Sequence, residues 1–310
     1  MGELTRYPPP RRSAFTATIE SCPMRFPFLL SCMLLLAACG KSPQTFHFDN
    51  PTGQPLALQV DGQAHRIPAH AELALELAPG AHTLQSAQLG RVPFIVYADH
   101  DGALVNPTLS DYYLVDEVYW TGGAQAVEFE GESKVQVQGV ELTGRYGQVD
   151  DLFIAKDWDF DVHTPFPETA SGQVDGSGGR RFRKIFAEDA FVAYFESTRG
   201  EPGYVAARRP ADWHAPARTP TPDAARLPPL APVFEAHAGP LRKLVDDYLH
   251  ATDPAEQRRL RKLYVRTQID FTHATASLGS RLPVIENTRL NDFVGGVSRI
   301  MSSAALVPSR

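Results

Sequence analysis

Two stretches decide the fold class of this chain: Leu56-Ala-Leu-Gln-Val60 followed by Asp61-Gly62, and Leu73-Ala-Leu-Glu-Leu77 followed by Pro79-Gly80. Apolar and polar residues alternate with a period of two, which puts one face of each segment on a core and the other in water. Asp-Gly and Pro-Gly are turn formers, and Asp-Gly suits a two-residue hairpin whose central residues both need positive φ. Working outward, Phe46-His-Phe48 runs into the turn Asn50-Pro-Thr-Gly53, and Ile67-Pro68, His82-Thr-Leu-Gln and Val92-Pro-Phe-Ile-Val-Tyr97 complete the series. Short strands with regular turns between them predict a sandwich. Tyr112–Trp120, Ala126–Glu130 and Lys134–Val140 predict further strands. Asn50-Pro-Thr recurs as Asn106-Pro-Thr, 56 residues later, an echo that raises a duplicated β unit. Neither is a glycosylation sequon, because proline fills the middle position.

The second half changes character. Asp175-Gly-Ser-Gly-Gly179 breaks the strand pattern, and Ala187–Glu196 reads as one short helix with acidic residues early. Residues 202–232 hold eight prolines, a linker or extended strap. Leu241, Leu244, Val245, Tyr248 and Leu249 then share one helical face. Asp253-Pro254-Ala-Glu256 supplies a helix start: a capping carboxylate, proline at the first position and glutamate at the third. Leu260, Leu263, Tyr264, Phe271 and Leu278 continue at helical spacing to Gly279. A third helix is expected from Leu290 to Met301. The expected class is α+β: an N-terminal antiparallel β-sandwich-like region followed by a small C-terminal helical segment.

The N-terminus carries a different signal. Met24-Arg25 opens an apolar run from Phe26 to Leu36, and Leu36-Ala37-Ala38-Cys39 closes it with small residues before a cysteine. The run is too short to span a bilayer and has the length of a signal-peptide core. Residues 24–39 closely resemble a bacterial lipoprotein signal peptide with its lipobox. The resemblance implies cleavage between Ala38 and Cys39, acylation of Cys39, and Gly40 in a position that favours outer-membrane attachment, the body facing the periplasm. It assigns residues 1–23 to a start codon placed too early, 24–38 to the signal, and 39–45 to anchor and tether. The remaining divisions expected from composition are a β-rich domain at 46–175, a mixed segment at 176–201, the Pro-rich linker at 202–232 and a helical region at 233–310. Cys22 and Cys32 lie upstream of the cleavage point, so the mature chain keeps only Cys39 and forms no internal disulfide. Two or more acyl chains anchor stably where one does not.

The charge is unevenly distributed. The 310 residues carry 30 Lys/Arg against 36 Asp/Glu, net −6, without the basic bias of a nucleic-acid binder. Residues 39–175 hold 6 basic and 20 acidic side chains, whereas 176–310 hold 20 and 14. Such asymmetry implies either an internal electrostatic contact or two surfaces with different partners.

Several constellations bear on chemistry. Asp157-Trp-Asp159-Phe-Asp161-Val-His163 would place three carboxylates and an imidazole on one face of a strand. As a Ca²⁺ loop these four would be positions one, three, five and seven, but Val162 stands where the loop needs glycine. The other reading is a strand with Trp158 and Phe160 buried and its acidic face in water. Asp99-His100-Asp101-Gly102 could orient a histidine between carboxylates or form a polar turn. No Gly-x-Ser-x-Gly or His-Glu-x-x-His motif occurs. Arg258, Lys262 and Arg266 share a helix face at i, i+4 spacing, fit for the acidic β half, phospholipid headgroups or an acidic partner, or simply a solvated face.

These readings lead to a non-enzymatic, lipid-anchored envelope protein. It is held to the membrane through Cys39 and binds a protein partner, an immunity protein against an injected antibacterial toxin being one form of it. The rivals are an envelope hydrolase or cation-dependent carbohydrate binder built on the acidic cluster, and a structural lipoprotein of an envelope assembly.

Overall fold

Asp61 and Gly62 both adopt positive φ, 52° and 82°, and join β2 (Leu56–Val60) to β3 (Gln63–Ile67) as the Asp-Gly pair predicts. The computed structural model describes residues 42–120, 132–167, 179–223 and 227–308. Around this hairpin lie β1 (Gln44–Asn50), β4 (Ala71–Leu77), β5 (Gly80–Ser86), β6 (Gly90–Val96) and β7 (Ala103–Val105). Then come β8 (Tyr112–Trp120), β9 (Ser133–Val137), β10 (Val140–Gly144), β11 (Tyr146–Val149), β12 (Phe153–Ala155) and β13 (Gly179–Ala187). Helices α1 (Glu188–Arg199), α2 (Tyr204–Arg208), α3 (Pro232–Leu249), α4 (Pro254–Thr275) and α5 (Val284–Ser302) follow, and a two-residue strand, β14 (Ala305–Leu306), comes after α5. The class is α+β, with a C-terminal helical segment. The expected strand at Ala126–Glu130 lies outside the described residues.

Side-chain alternation builds the molecule in layers. Phe46 and Phe48 of β1 and Val105 of β7 point from a four-stranded sheet, order β12-β7-β1-β4, into a core shared with a five-stranded sheet, order β14-β6-β5-β2-β3. Leu58, Val60, Ile67, Leu84, Val92, Phe94 and Val96 fill that core from the second sheet. Each such fully buried side chain contributes about 1.5–3 kcal/mol. On the opposite face of β6, Ile95 and Tyr97 pack under α3 and α5 beside Leu241, Tyr248, Val297 and Ile300. On the far side of the four-stranded sheet, Leu104 and Ile154 meet Tyr112 and Ile185 of a three-stranded sheet, order β11-β8-β13. The other face of β8 and β13 carries Tyr113, Val115 and Phe186 into a core with the β9–β10 hairpin and Phe191 and Phe195 of α1.

The Asn-Pro-Thr echo marks a repeated pattern of strand pairing. The strand after each motif begins six residues beyond the asparagine, at Leu56 and at Tyr112. β2 is flanked antiparallel by β3 and β5, and β8 is flanked antiparallel by β11 and β13. β4 returns antiparallel to β1 as β12 returns to β7, with Asn50 opposite Ala71 and the Asn106 amide bonded to the Leu152 carbonyl. β1 and β7 pair parallel at the centre, the one parallel strand pair among the described residues. Each repeat thus packs its own hairpin sheet on its own side of the shared central sheet. The second copy is enlarged between β8 and β11, where β9 and β10 are inserted.

Both asparagines are fully buried and do the same work. Asn50 Nδ2 donates to the Gln54 and Pro68 carbonyls, each at 2.8 Å, while its Oδ1 accepts from Thr52 Oγ1 at 2.7 Å. Asn106 Nδ2 donates to the Ser110 carbonyl at 2.8 Å and its Oδ1 accepts from the Ser110 amide at 3.1 Å. Each side chain satisfies turn backbone that would otherwise be buried without partners.

Three expectations need correction. Lys134–Val140 is a hairpin rather than one strand: Gln138 and Gly139 take φ of 52° and 78° and return the chain into β10. A Cβ at Gly139 would also sit 2.9 Å from Trp213, so this turn needs glycine for space as well as for φ. Leu263 is exposed on α4, and that helix stops at Thr275, short of Leu278. Asp157–Phe160 is not a strand; Phe160 alone makes a bridge, to Lys184 of β13.

The segment after α2 is an extended strap. Arg218 on it donates to the Leu109 carbonyl at 3.0 Å and to Asp111 at 2.9 Å and lies 3.2 Å from Asp150. Asp223 accepts from the Val307 amide at 2.9 Å. The chain end then joins the five-stranded sheet as β14, whose Ala305 and Leu306 pair with Val96 and Ile95.

Candidate functional site

The acidic segment 157–163 is the first place to look for chemistry, and its side chains point to different partners. Asp157 Oδ2 lies 2.6 Å from Arg183 Nη1, and Asp159 Oδ2 accepts from the Arg183 amide at 2.9 Å. Arg183 also makes a paired contact with Asp116 at 2.7 and 2.8 Å, which raises its pKa further above its ordinary value. Asp161 Oδ1 caps its own turn, accepting from the His163 and Thr164 amides at 3.1 and 2.7 Å. Burial opposes its ionisation, but these bonds and Lys184 outweigh it and hold the carboxyl below the ordinary range.

His163 turns inward, its Nε2 2.8 Å from Oδ1 of Asp49, which is fully buried and also accepts from Tyr112 Oη at 2.5 Å. Burial, with the Asp49 charge beside it, pushes the Tyr112 phenol well up. Lys184, only 4% exposed, donates to the carbonyls of Asp161 and Thr164 at 2.5 and 2.7 Å. Burial lowers its pKa to about 8. The segment is therefore strapped to β1 and β13, with Asp157 and Asp159 engaged by Arg183. Among the described residues no three His, Cys, Asp or Glu side chains gather to hold a metal ion.

The second site lies where α4 meets the end of β6. Gln257 of α4 is buried; its Oε1 accepts from the Ala98 amide at 2.9 Å and its Nε2 donates to the carbonyls of Val96 and Ala251. Arg258 grips Asp99 with two bonds, Nε–Oδ2 at 2.8 Å and Nη2–Oδ1 at 2.9 Å, and Arg261 Nη2 adds a third at 3.1 Å. Those guanidiniums hold the Asp99 carboxyl below its usual range, the Arg258 hydrogen bond being the largest cause. Arg261 Nη1 lies 2.8 Å from His100 Nε2, a contact that requires an unprotonated acceptor nitrogen. Burial first, and Arg261 second, depress the His100 pKa to about 4. Asp99-His100 is thus a polar turn that locks α4 to the sheet.

Of the three basic residues expected to share a face, Arg258 is committed to Asp99, while Lys262 and Arg266 are exposed. Arg266 reaches Asp270 only at 4.0 Å. Beside them a groove of about 470 Å³ runs between α4 and the end of α5, lined by Lys262, Tyr264, Val265 and Met301.

The exposed large apolar side chains of the described residues all belong to the helical layer: Val233, Leu263, Val265, Ile269, Val284 and Ile285. Val284 and Ile285, 81% and 55% exposed, stand in the first turn of α5. α4 runs back along α3 after a short turn, and the C-terminal end of α5 borders the N-terminal half of α4. Val233, Ile269, Val284 and Ile285 therefore fall at the end of the layer opposite Asp99. Spacing alone did not find them, because apolar residues in a helical pattern read as core; what could have marked them is that they lie off the buried stripe.

No family model, curated protein or solved structure matches this chain. No helix among the described residues is long and apolar enough to cross a membrane.

Proposed function

We propose that this chain is a lipid-anchored protein of the bacterial envelope, acylated at Cys39, that works without catalysis by binding a protein partner at the outer end of its helical layer. The observation that carries the binding reading is the exposure of Val284 and Ile285 together with Val233 and Ile269 at that end. Solvent-exposed apolar side chains gathered at one end are the mark of a contact surface. The anchor is supported by the apolar run Phe26–Leu36 and by Leu36-Ala37-Ala38-Cys39. Gly40 in the resemblance supports outer-membrane attachment, and the proposal places the body on the periplasmic side. In its narrower form the partner is a toxin injected by a neighbouring bacterium, and the chain is its immunity protein.

Val284→Asp/Ile285→Asp tests the surface, because both side chains are exposed and the core does not depend on them. Recovery of a partner from detergent-solubilised envelopes should fall at least tenfold while the melting temperature holds. Equal recovery from both proteins refutes the surface. For the narrower form, a deletion strain mixed with its siblings should lose viability on contact, and the double variant should fail to rescue it. A deletant that survives contact unharmed removes the immunity reading and leaves an assembly role for the recovered partner.

A further inference from the structure

We infer that the exposed basic face on the middle turns of α4, Lys262 and Arg266 with Val265 between them, rests on anionic phospholipid headgroups. The inference rests on the lipid-anchored reading and adds an orientation to it.

The path of the chain leads to this face. β1 begins at Gln44, whose side-chain amide donates to the Tyr97 carbonyl at 2.5 Å. The Thr45 carbonyl lies against Gly102, where a Cβ would sit 1.8 Å from its oxygen. The turn from Ala98 to Gly102 therefore carries both contacts: the entry of the chain on one side, and Arg258 and Arg261 of α4, through Asp99, on the other. Cys39 precedes Gln44 by five residues. Five extended residues reach at most about 18 Å, and Lys262 and Arg266 lie within about 12 Å along α4 from Arg258. An acylated Cys39 thus keeps this corner of the body near the headgroups, with no long linker to lift it away.

The charge fits the same surface. α4 carries five basic residues against Glu256 and Asp270, whereas residues 39–175 carry 20 acidic side chains against 6 basic. An anionic surface repels the acidic half and attracts this face of α4, so it favours one side of the molecule. Val265 and the apolar wall of the groove beside it can enter the headgroup layer with the aliphatic stems of Lys262 and Arg266.

The mature sequence has a single cysteine, which gives a direct test. Residues from Gly40 onward form one compact unit holding every described core cluster, so unacylated protein comprising residues 39–310 is a fair probe. Coupled through Cys39 to a maleimide lipid, it can be displayed on phosphatidylglycerol-containing or purely phosphatidylcholine vesicles. Acetylation of Lys262 by a water-soluble reagent is then read by mass spectrometry against the exposed Lys243 on α3. Protection of Lys262 by about fivefold on the anionic vesicles alone, lost in Arg266→Glu and in high salt, is expected. Equal reactivity of Lys262 on both vesicles, or equal protection of Lys243, overturns the proposal. The coupling replaces the natural lipid, so such a failure leaves acylation of Cys39 untouched; that is read separately from the mass of the native N-terminus.

Discussion

Asn50 and Asn106 show how much one buried amide can hold. Each closes a turn after a central strand, and each bonds both to the backbone of that turn and to a second, distant loop, Pro68 for Asn50 and Asp151 for Asn106. Alanine at either position leaves several buried carbonyl and amide groups without partners, at about 1–3 kcal/mol for each group not reached by water. Asn106→Ala and Asn50→Ala should each lower stability by about 2–4 kcal/mol in urea unfolding; a loss below about 0.5 kcal/mol would refute the role given to them. His100 supplies a pH-dependent counterpart. Its folded pKa of about 4 lies below the ordinary 6.5, so the unfolded chain binds the proton first as pH falls. Its contribution is complete above about pH 6.5 and is lost on descent toward pH 4, when Nε2 can no longer accept from Arg261. Replacing it with glutamine keeps an acceptor and removes the titration. The melting temperature of the wild-type protein should therefore fall relative to His100→Gln between pH 6.5 and 4; a constant difference contradicts the assignment.

At the scale of elements, strands and helices with long periodic patterns were legible and short or interrupted ones were not. β2, β4 and β6 follow from alternation, and the start of α4 from Asp253, whose carboxylate accepts from the Glu256 amide at 3.1 Å. The break between β9 and β10 hid because Val135, Val137 and Val140 look like one strand unless Gln138-Gly139 is read as a turn. β14 could not be found from pattern at all: two residues have no period, and only the open edge of β6 makes them a strand. Asp157, Asp159 and Asp161 looked collective because they alternate, yet the segment pairs with β13 only at Phe160, and Asp157 and Asp159 meet Arg183 while Asp161 caps its own turn. The role of β14 is testable. Truncation after Ser303 removes buried Ala304, Ala305, Leu306 and Val307, and should cost about 3–5 kcal/mol by the area they bury. An unchanged urea midpoint would show that the helical layer does not depend on this return to the sheet.

For the whole molecule, the divided charge has a structural use. Asp99, Asp111, Asp116, Asp150 and Asp157 come from the acidic half, and Arg183, Arg218, Arg258 and Arg261 from the basic half meet them. The asymmetry in sequence thus becomes an internal seam, and Lys262 and Arg266 are basic residues left over from it on the middle turns of α4. The repeated β unit explains why a chain with one cysteine after residue 38 can stand without a disulfide: two sandwiches share a central sheet, α3–α5 cover one outer face and α1 packs in the core on the other side. In the reading proposed here, this body hangs from Cys39 and presents its outer helical end to a protein. The most direct test is the intact mass of the protein extracted with detergent from the envelope of the producing cell. The expected result is a polypeptide beginning at Cys39 and carrying a diacylglyceryl group and an amide-linked acyl chain. A soluble polypeptide beginning at Met1 or Met24, without lipid, would contradict it.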